Sequence, residues 1–291
     1  DPEVFWWTGG ECKAARNVEA PARVDTAFPQ SGRYFLEGVD SKAAISCGPV
    51  GQNGNGGHGH NDALSFVWTV SGAELLTDPG TFCYTADPPM RNLFRSTKSH
   101  TTLSVDGEEI NPFQPRILFQ MPEATWAEGR IEEGPKGVAL FRGSHKGFQR
   151  LADPVGVERM IALHRASGSL CFVDRCQAKQ RHAYEQRLIF SPLVEFELSA
   201  VAKAVESDGI FPQQVGIDVH WLCVGRGTWP GGAFEIWCDD RPDMHLERVD
   251  VQVSRAYGEK MMSNALARSW SANGATHGAM LLNISEVEEN G

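Results

Sequence analysis

From YFLEGV (34–39) onward, the chain is a succession of short apolar segments, each closed by a turn signal after roughly ten residues. YFLEGV is followed by KAAISCG, and LSFVWTV by AELLTD across Ser71-Gly72; in TTLSVDGEEI, Asp106-Gly107 sits where a tight hairpin turn belongs. GVALFRGS, VERMIALHR, SLCFVDRC, EQRLIFSP, FELSAVAKAVE, IDVHWLCVG, FEIWCDD, VDVQVSRAYG and AMLLNIS continue the series, with Ala166-Ser167-Gly168 as the turn between the second and third of these. Many alternate apolar and polar residues at period two, and none makes a long helix of period 3.6. Thirty glycines and sixteen prolines agree with a turn-rich chain. This pattern predicts an all-β fold, a large antiparallel β-sandwich of many short strands. No internal linker or repeat stands out, so residues 26–291 read as one unit behind a lead-in segment, 1–25, whose FWW is an expected anchor.

Charge and composition remove several classes of function. Twenty-seven basic residues against 37 acidic give a net charge of −10, the opposite of a nucleic-acid footprint. No stretch approaches the roughly 20 apolar residues of a membrane span. Residue 1 is Asp with no signal-peptide pattern behind it, so the chain reads as a mature form or an excised fragment. Seven scattered cysteines without a CxxC pair are expected to be mostly buried free thiols. The compartment stays open, a periplasmic or secreted location being favoured over the cytoplasm.

Chemistry concentrates in GQNGNGGHGHND (51–62), where five glycines and two histidines run into LSFVWTV. In that segment Leu64, Phe66, Trp68 and Val70 share a face, and extending the phase backward places His58, His60 and Asp62 on the same side. Asp78 ends the next strand before Pro79-Gly80, and His100 stands at the start of the strand after it. Adjacent antiparallel strands would gather His60, Asp78 and His100 around one ion. Two imidazoles and a carboxylate suit Zn²⁺, and also non-haem iron or manganese. The plain alternative is that they are ordinary loop and cap residues. Arg91 and Arg95 are candidate clamps for an anionic substrate; the plain alternative is solvated surface charge or a pair with Asp87. Asn61 is a further candidate substrate contact, and Tyr84 is a candidate acid or a packed tyrosine.

GHGHNDALSF, LLTDPGTFCYT and RNLFRSTKSHTTLSVDG, in this order and spacing, resemble the signatures of heparinase II/III-like polysaccharide lyases. The resemblance covers residues 27–113 well and extends loosely through GFQRLADPVGVERMIALHR, LCFVDRC and SRAYG. It implies a C-terminal β-sandwich whose N-terminal α/α toroid is absent from this chain. It also implies zinc, mainly structural, on His60, Asp78 and His100, with His58 in the cleft against a uronate carboxylate. Thr101 after His100, where relatives often have Asn, and Phe190-Ser191, where they commonly carry a histidine, depart from the pattern.

The implied reaction removes the C5 proton of a uronate and expels the C4 oxygen. It needs donors for the carboxylate, a base and an acid. His58 fits the donor or base role. With the toroid side of the cleft missing, the chain is expected to show little or no activity alone. Its partner is an acidic, uronate-containing polysaccharide, and a homodimer is possible. Two other readings stay open: a non-catalytic sugar-binding sandwich with a structural metal, and an oxygenase using a two-His, one-carboxylate triad.

Overall fold

Two-residue turns set the first pairings. Ser71 and Gly72 take φ of 50° and 71°, and Asp106 and Gly107 take 54° and 71°. Positive φ at both central positions is the type I′ geometry that matches strand twist. The structure, a computed structural model, describes residues 24–205 and 211–285, so the FWW anchor lies outside the described residues.

Three antiparallel sheets form two layers. The first layer holds a five-stranded sheet in chain order: β1 (Thr26–Phe28), β2 (Arg33–Glu37), β3 (Ser41–Ser46), β4 (Phe66–Val70) and β5 (Ala73–Leu76). Beside it lies a four-stranded sheet ordered β15 (His245–Ala256), β16 (Glu259–Asn273), β11 (Arg181–Ile189) and β6 (Leu103–Val105). A bridge between Leu76 and Phe190 joins the two, reinforced by Thr77 N–H to Ile189 O at 2.9 Å and Ser191 N–H to Leu75 O at 3.0 Å.

The second layer is one eight-stranded sheet. Its order is β12 (Glu195–Val205), β13 (Trp221–Trp229), β14 (Gly232–Asp239), β17 (Thr276–Ser285), β10 (Leu170–Gln177), β9 (Gly156–His164), β8 (Val138–His145) and β7 (Glu128–Glu132). The predicted all-β sandwich is therefore what the chain forms.

The layers meet through large side chains spaced two apart. Phe66, Trp68 and Val70 of β4 are buried, as the alternation predicts, and Phe66 packs edge-on to Phe172 of β10 at 5.5 Å. Farther along, Tyr184 stacks on Trp270 at 5.4 Å, where Gly278 of β17 leaves room for the indole. Buried aromatics of this size dominate core energetics, and truncating one to Ala costs about 3–5 kcal/mol. The outer face of the large sheet is covered too: Met160, Cys171, Val173, Trp221 and Trp237 pack against Phe211 and Ile217. Among the described residues the cysteines are free; Cys47, Cys83, Cys171, Cys176 and Cys238 are buried and Cys223 is half-buried, as expected.

Candidate metal centre and cleft

The site lies on the seam between the two sheets of the first layer. His60 precedes β4 and Asp78 follows β5, both in the five-stranded sheet, whereas His100 precedes β6 in the four-stranded one. Adjacent strands of a single sheet therefore do not assemble it. Nor do the histidines continue the phase of β4: Leu64 has φ of 63°, which turns the chain out of the extended conformation. His58 and His60 sit on a loop, and their convergence with Asp78 and His100 is tertiary.

That loop follows a tight path. Gly56 has φ of 58°, and a Cβ there would lie 2.4 Å from the carbonyl oxygen of Met121, so only glycine fits. Just past His60, Asn61 is fully buried; its backbone N–H donates to Arg95 O at 2.9 Å. Its side chain donates to Glu109 Oε2 at 2.7 Å and accepts from Asn111 N–H at 2.8 Å. Glu109 Oε2 also accepts from the Thr97 N–H and hydroxyl, each at 2.7 Å. The segments carrying His60 and His100 are thereby tied to one carboxylate. Asn61, named from sequence as a substrate contact, spends its polar atoms inside the protein.

Asp78 and His100 are oriented by their own neighbours. Gly80 N–H donates to Asp78 Oδ1 at 2.8 Å. His100 follows a 3₁₀ turn, Thr97–Ser99, and its Nδ1 donates to Ser96 O at 2.8 Å. A carbonyl can only accept, so His100 carries a proton on Nδ1 and turns Nε2 toward His60 and Asp78. Metal-ligating histidines show this second-shell arrangement. His60 Nδ1 lies 3.2 Å from His100 Nε2, and Asp78 Oδ2 lies 3.8 Å from the same nitrogen. One donor atom from each of the three falls within 4.8 Å of the others, so the group can hold a metal ion.

The electrostatics favour neutral imidazole at His60. Burial and then the charges of His100, Arg91, Arg95 and His58 push it well below the ordinary histidine range. Arg91 Nη1 stands 3.0 Å from His60 Nε2, and a guanidinium can only donate. In this arrangement the His60 proton is therefore on Nδ1, pointing at His100 Nε2.

Both arginines are fully buried, not solvated, and Asp87 is not their partner. Asp87 instead caps helix α1 (Pro88–Phe94), accepting from Met90 N–H at 3.1 Å. This short helix has no trace in the period-two reading. Arg95 holds the 113–120 loop: it donates to Ile117 O, Leu118 O and Gln120 O at 3.0, 3.3 and 3.2 Å and lies over the Phe113 ring. Burial and the neighbouring Arg91 lower it to about 10. Arg91 differs. Its Nε and Nη2 have no hydrogen-bond partner among the described residues, and its guanidinium lies 5.4 Å from the Tyr84 ring centre.

His58 is exposed and lines a groove of about 650 Å³ together with His60 and Asp78. Its ring meets Tyr84 edge-on at 5.3 Å and Phe119 at 6.0 Å. The structure thus brings His58, Tyr84 and Arg91 beside the three-residue group, and leaves Asn61 and Arg95 behind it. Two residues escaped the sequence reading. Tyr257 packs 5.7 Å from Tyr84; the exposed Tyr-Gly of SRAYG was its only signal. Arg159 donates to Leu64 O at 2.9 Å and Thr101 O at 2.8 Å, holding both histidine segments from β9; an arginine in a strand gives no hint of that.

Among solved structures the chain is similar to a mutant of a heparan sulfate lyase from Pedobacter heparinus, with TM-score 0.69 and 15% identity over 98% of this chain. It is also similar to a heparinase III, with TM-score 0.65 and 11% identity over 94% of this chain. It spans 39% and 38% of the lengths of those two chains. No curated protein matches the sequence. The heparinase II/III-like C-terminal family matches residues 20–262. With that match covering most of its length, the chain belongs to the heparinase II/III-like C-terminal domain family.

Proposed function

We propose that this chain is the cleft-bearing part of a lyase that cleaves an acidic, uronate-containing polysaccharide by β-elimination, with Zn²⁺ on His60, Asp78 and His100. One observation carries the reading: His58, packed edge-on against Tyr84, lines one groove together with His60 and Asp78 of the His60–Asp78–His100 group. The donor set and the Ser96 carbonyl behind His100 fit zinc. When bound, zinc supplies a positive charge that cross-links the three loops and lowers the cost of bringing an anion to the cleft.

The chain's own residues supply the rest. Elimination moves the C5 proton to a base, forms the C4=C5 double bond and breaks the C4–O bond, whose oxygen takes a proton from an acid. His58, exposed at the groove, faces the uronate as base or as donor to its carboxylate. Tyr84, half-buried against His58, is the acid. Arg91 adds a buried positive charge beside His60, which favours the electron-rich carboxylate formed as the proton leaves. Arg95 positions the loop that carries Phe119 and takes no part in the chemistry.

The other cleft wall belongs to an N-terminal α/α domain, in keeping with a chain that spans 39% of the similar lyase. The test compares the isolated chain with the complete gene product on alginate and heparan sulfate. The ultraviolet absorbance of unsaturated product is expected only from the complete protein and is lost in its His58→Ala variant. Full turnover by the isolated chain, or an unimpaired His58→Ala enzyme, sinks the assignment.

A further inference from the structure

The β15–β16 hairpin crosses from its own sheet to the loop that carries Asp78 and Tyr84. Ser254 N–H donates to Pro79 O at 2.8 Å, and Gly258 N–H donates to Phe82 O at 2.7 Å. The contact is close enough that a Cβ on Gly80 would lie 2.2 Å from Ser254 O. An Arg255–Glu74 ion pair and the Lys260 ammonium, 5.0 Å from the Phe82 ring centre, flank the tip. The tip is therefore pinned on both sides of Tyr257, and Gly258, with φ of 79°, makes the turn.

Tyr257 is nonetheless 65% exposed. Its ring lies 5.7 Å from that of Tyr84 at 34°, and Tyr84 in turn lies 5.7 Å from Phe119, which is 43% exposed. With His58 these rings make one continuous aromatic surface leading away from the proposed reacting centre. An exposed tyrosine on a pinned backbone has little freedom left to lose on binding, and it offers an apolar face with a polar edge. That combination suits a pyranose, which has a flat C–H face and hydroxyls at its rim.

We propose that Tyr257 is a sugar-binding platform, stacking under a pyranose ring of the polymer next to the uronate held at His58. This rests on the lyase reading and adds a subsite to it. The Asp78 loop, clamped under the same hairpin, fixes the platform relative to the metal group.

Calorimetric titration of the chain with size-defined alginate and heparan sulfate oligosaccharides tests this. Tyr257→Ala is expected to weaken binding about tenfold, equivalent to about 1.4 kcal/mol, while Tyr257→Phe stays within about twofold of wild type. Should Tyr257→Ala loosen the hairpin, Tyr257→Gln keeps the bulk without the ring and is read in the same way. Wild-type affinity in the ring-less variants overturns the platform, and so does a loss in Tyr257→Phe as large as in Tyr257→Ala. A wild-type chain that binds neither oligosaccharide also overturns the platform, whereas the lyase reading is decided separately by turnover of the complete gene product.

Discussion

The buried arginines between the layers and Arg91 at the seam are treated in opposite ways. Between the layers, Arg159 faces Asp174 through paired bonds of 2.7 and 2.6 Å, and both are fully buried. Gln186 donates to Asp174 at 2.8 Å and accepts from Arg268 at 2.9 Å, and Arg268 reaches Asp239 at 2.6 Å. Every carboxylate there has a cation and every guanidinium nitrogen has a partner. At the seam, Arg91 is buried to the same degree with no carboxylate on it and two nitrogens unpartnered among the described residues. A saturated network holds a shape, because desolvated charges persist only when paired. An unsaturated one keeps binding capacity for something that arrives.

The largest expected effect breaks the saturated side. Asp174→Ala strands the Arg159 guanidinium and should cost about 3–5 kcal/mol in denaturant unfolding. Arg91→Met removes a charge that has no counter-ion and should stay within about 1 kcal/mol of wild type. Equal losses from the two would erase the distinction.

Next comes the division of labour between the two loop histidines. His60→Ala should lower zinc affinity by more than the roughly 10–100-fold typical of a second-shell change. His58→Ala should keep both the metal and a stability within about 0.5 kcal/mol, since it is exposed and its contacts are at the rim. Metal titration of the two variants reads this directly, and similar affinities would place the wrong histidine at the ion.

The smallest effect tests a saturated cluster at the margin. His182 sits between Asp106 Oδ2 at 2.6 Å and Asp153 Oδ2 at 3.0 Å, with the Tyr184 ring beside it. Burial works against the imidazolium, but the two carboxylates outweigh it and raise the group above the ordinary histidine range. Asp153 is lowered, chiefly by its bond to His182. A raised histidine stabilises fully below its unfolded pKa of about 6.5, and this is lost as pH rises through the higher folded value. The lowered Asp153 contributes above its unfolded value of about 3.9, and this is lost as pH falls through the lower folded value. His182→Gln should therefore lower the melting temperature more at mildly acidic pH than at pH above 8. A constant difference across that range would mean that His182 is neutral in the fold.

Much of this was legible along the chain. Ser71-Gly72 and Asp106-Gly107 behave as their residue types require, because a two-residue turn is decided by local φ preferences. The buried face of β4 was legible for a similar reason, since alternation is a property of neighbours in sequence. The same reasoning fails at Leu64, where one positive φ ends the alternation and moves both histidines onto a loop. Helix α1 was hidden because seven residues are too few to show a period. Its cap at Asp87 took the carboxylate that spacing had offered to the arginines.

What the sequence determined by itself was the class of fold, the family and the identity of the three residues that can hold an ion. Those follow from local patterns and from motifs that stay together along the chain. Tertiary structure decided that His60, Asp78 and His100 lie across two sheets, that Arg91 faces His60 while Arg95 and Asn61 hold loops, and that Tyr257 reaches Tyr84 from a distant hairpin. The physical reason is common to all three. Burial and hydrogen-bond partners are set by segments far apart in sequence, and no residue type announces which carbonyl, carboxylate or ring will fold against it.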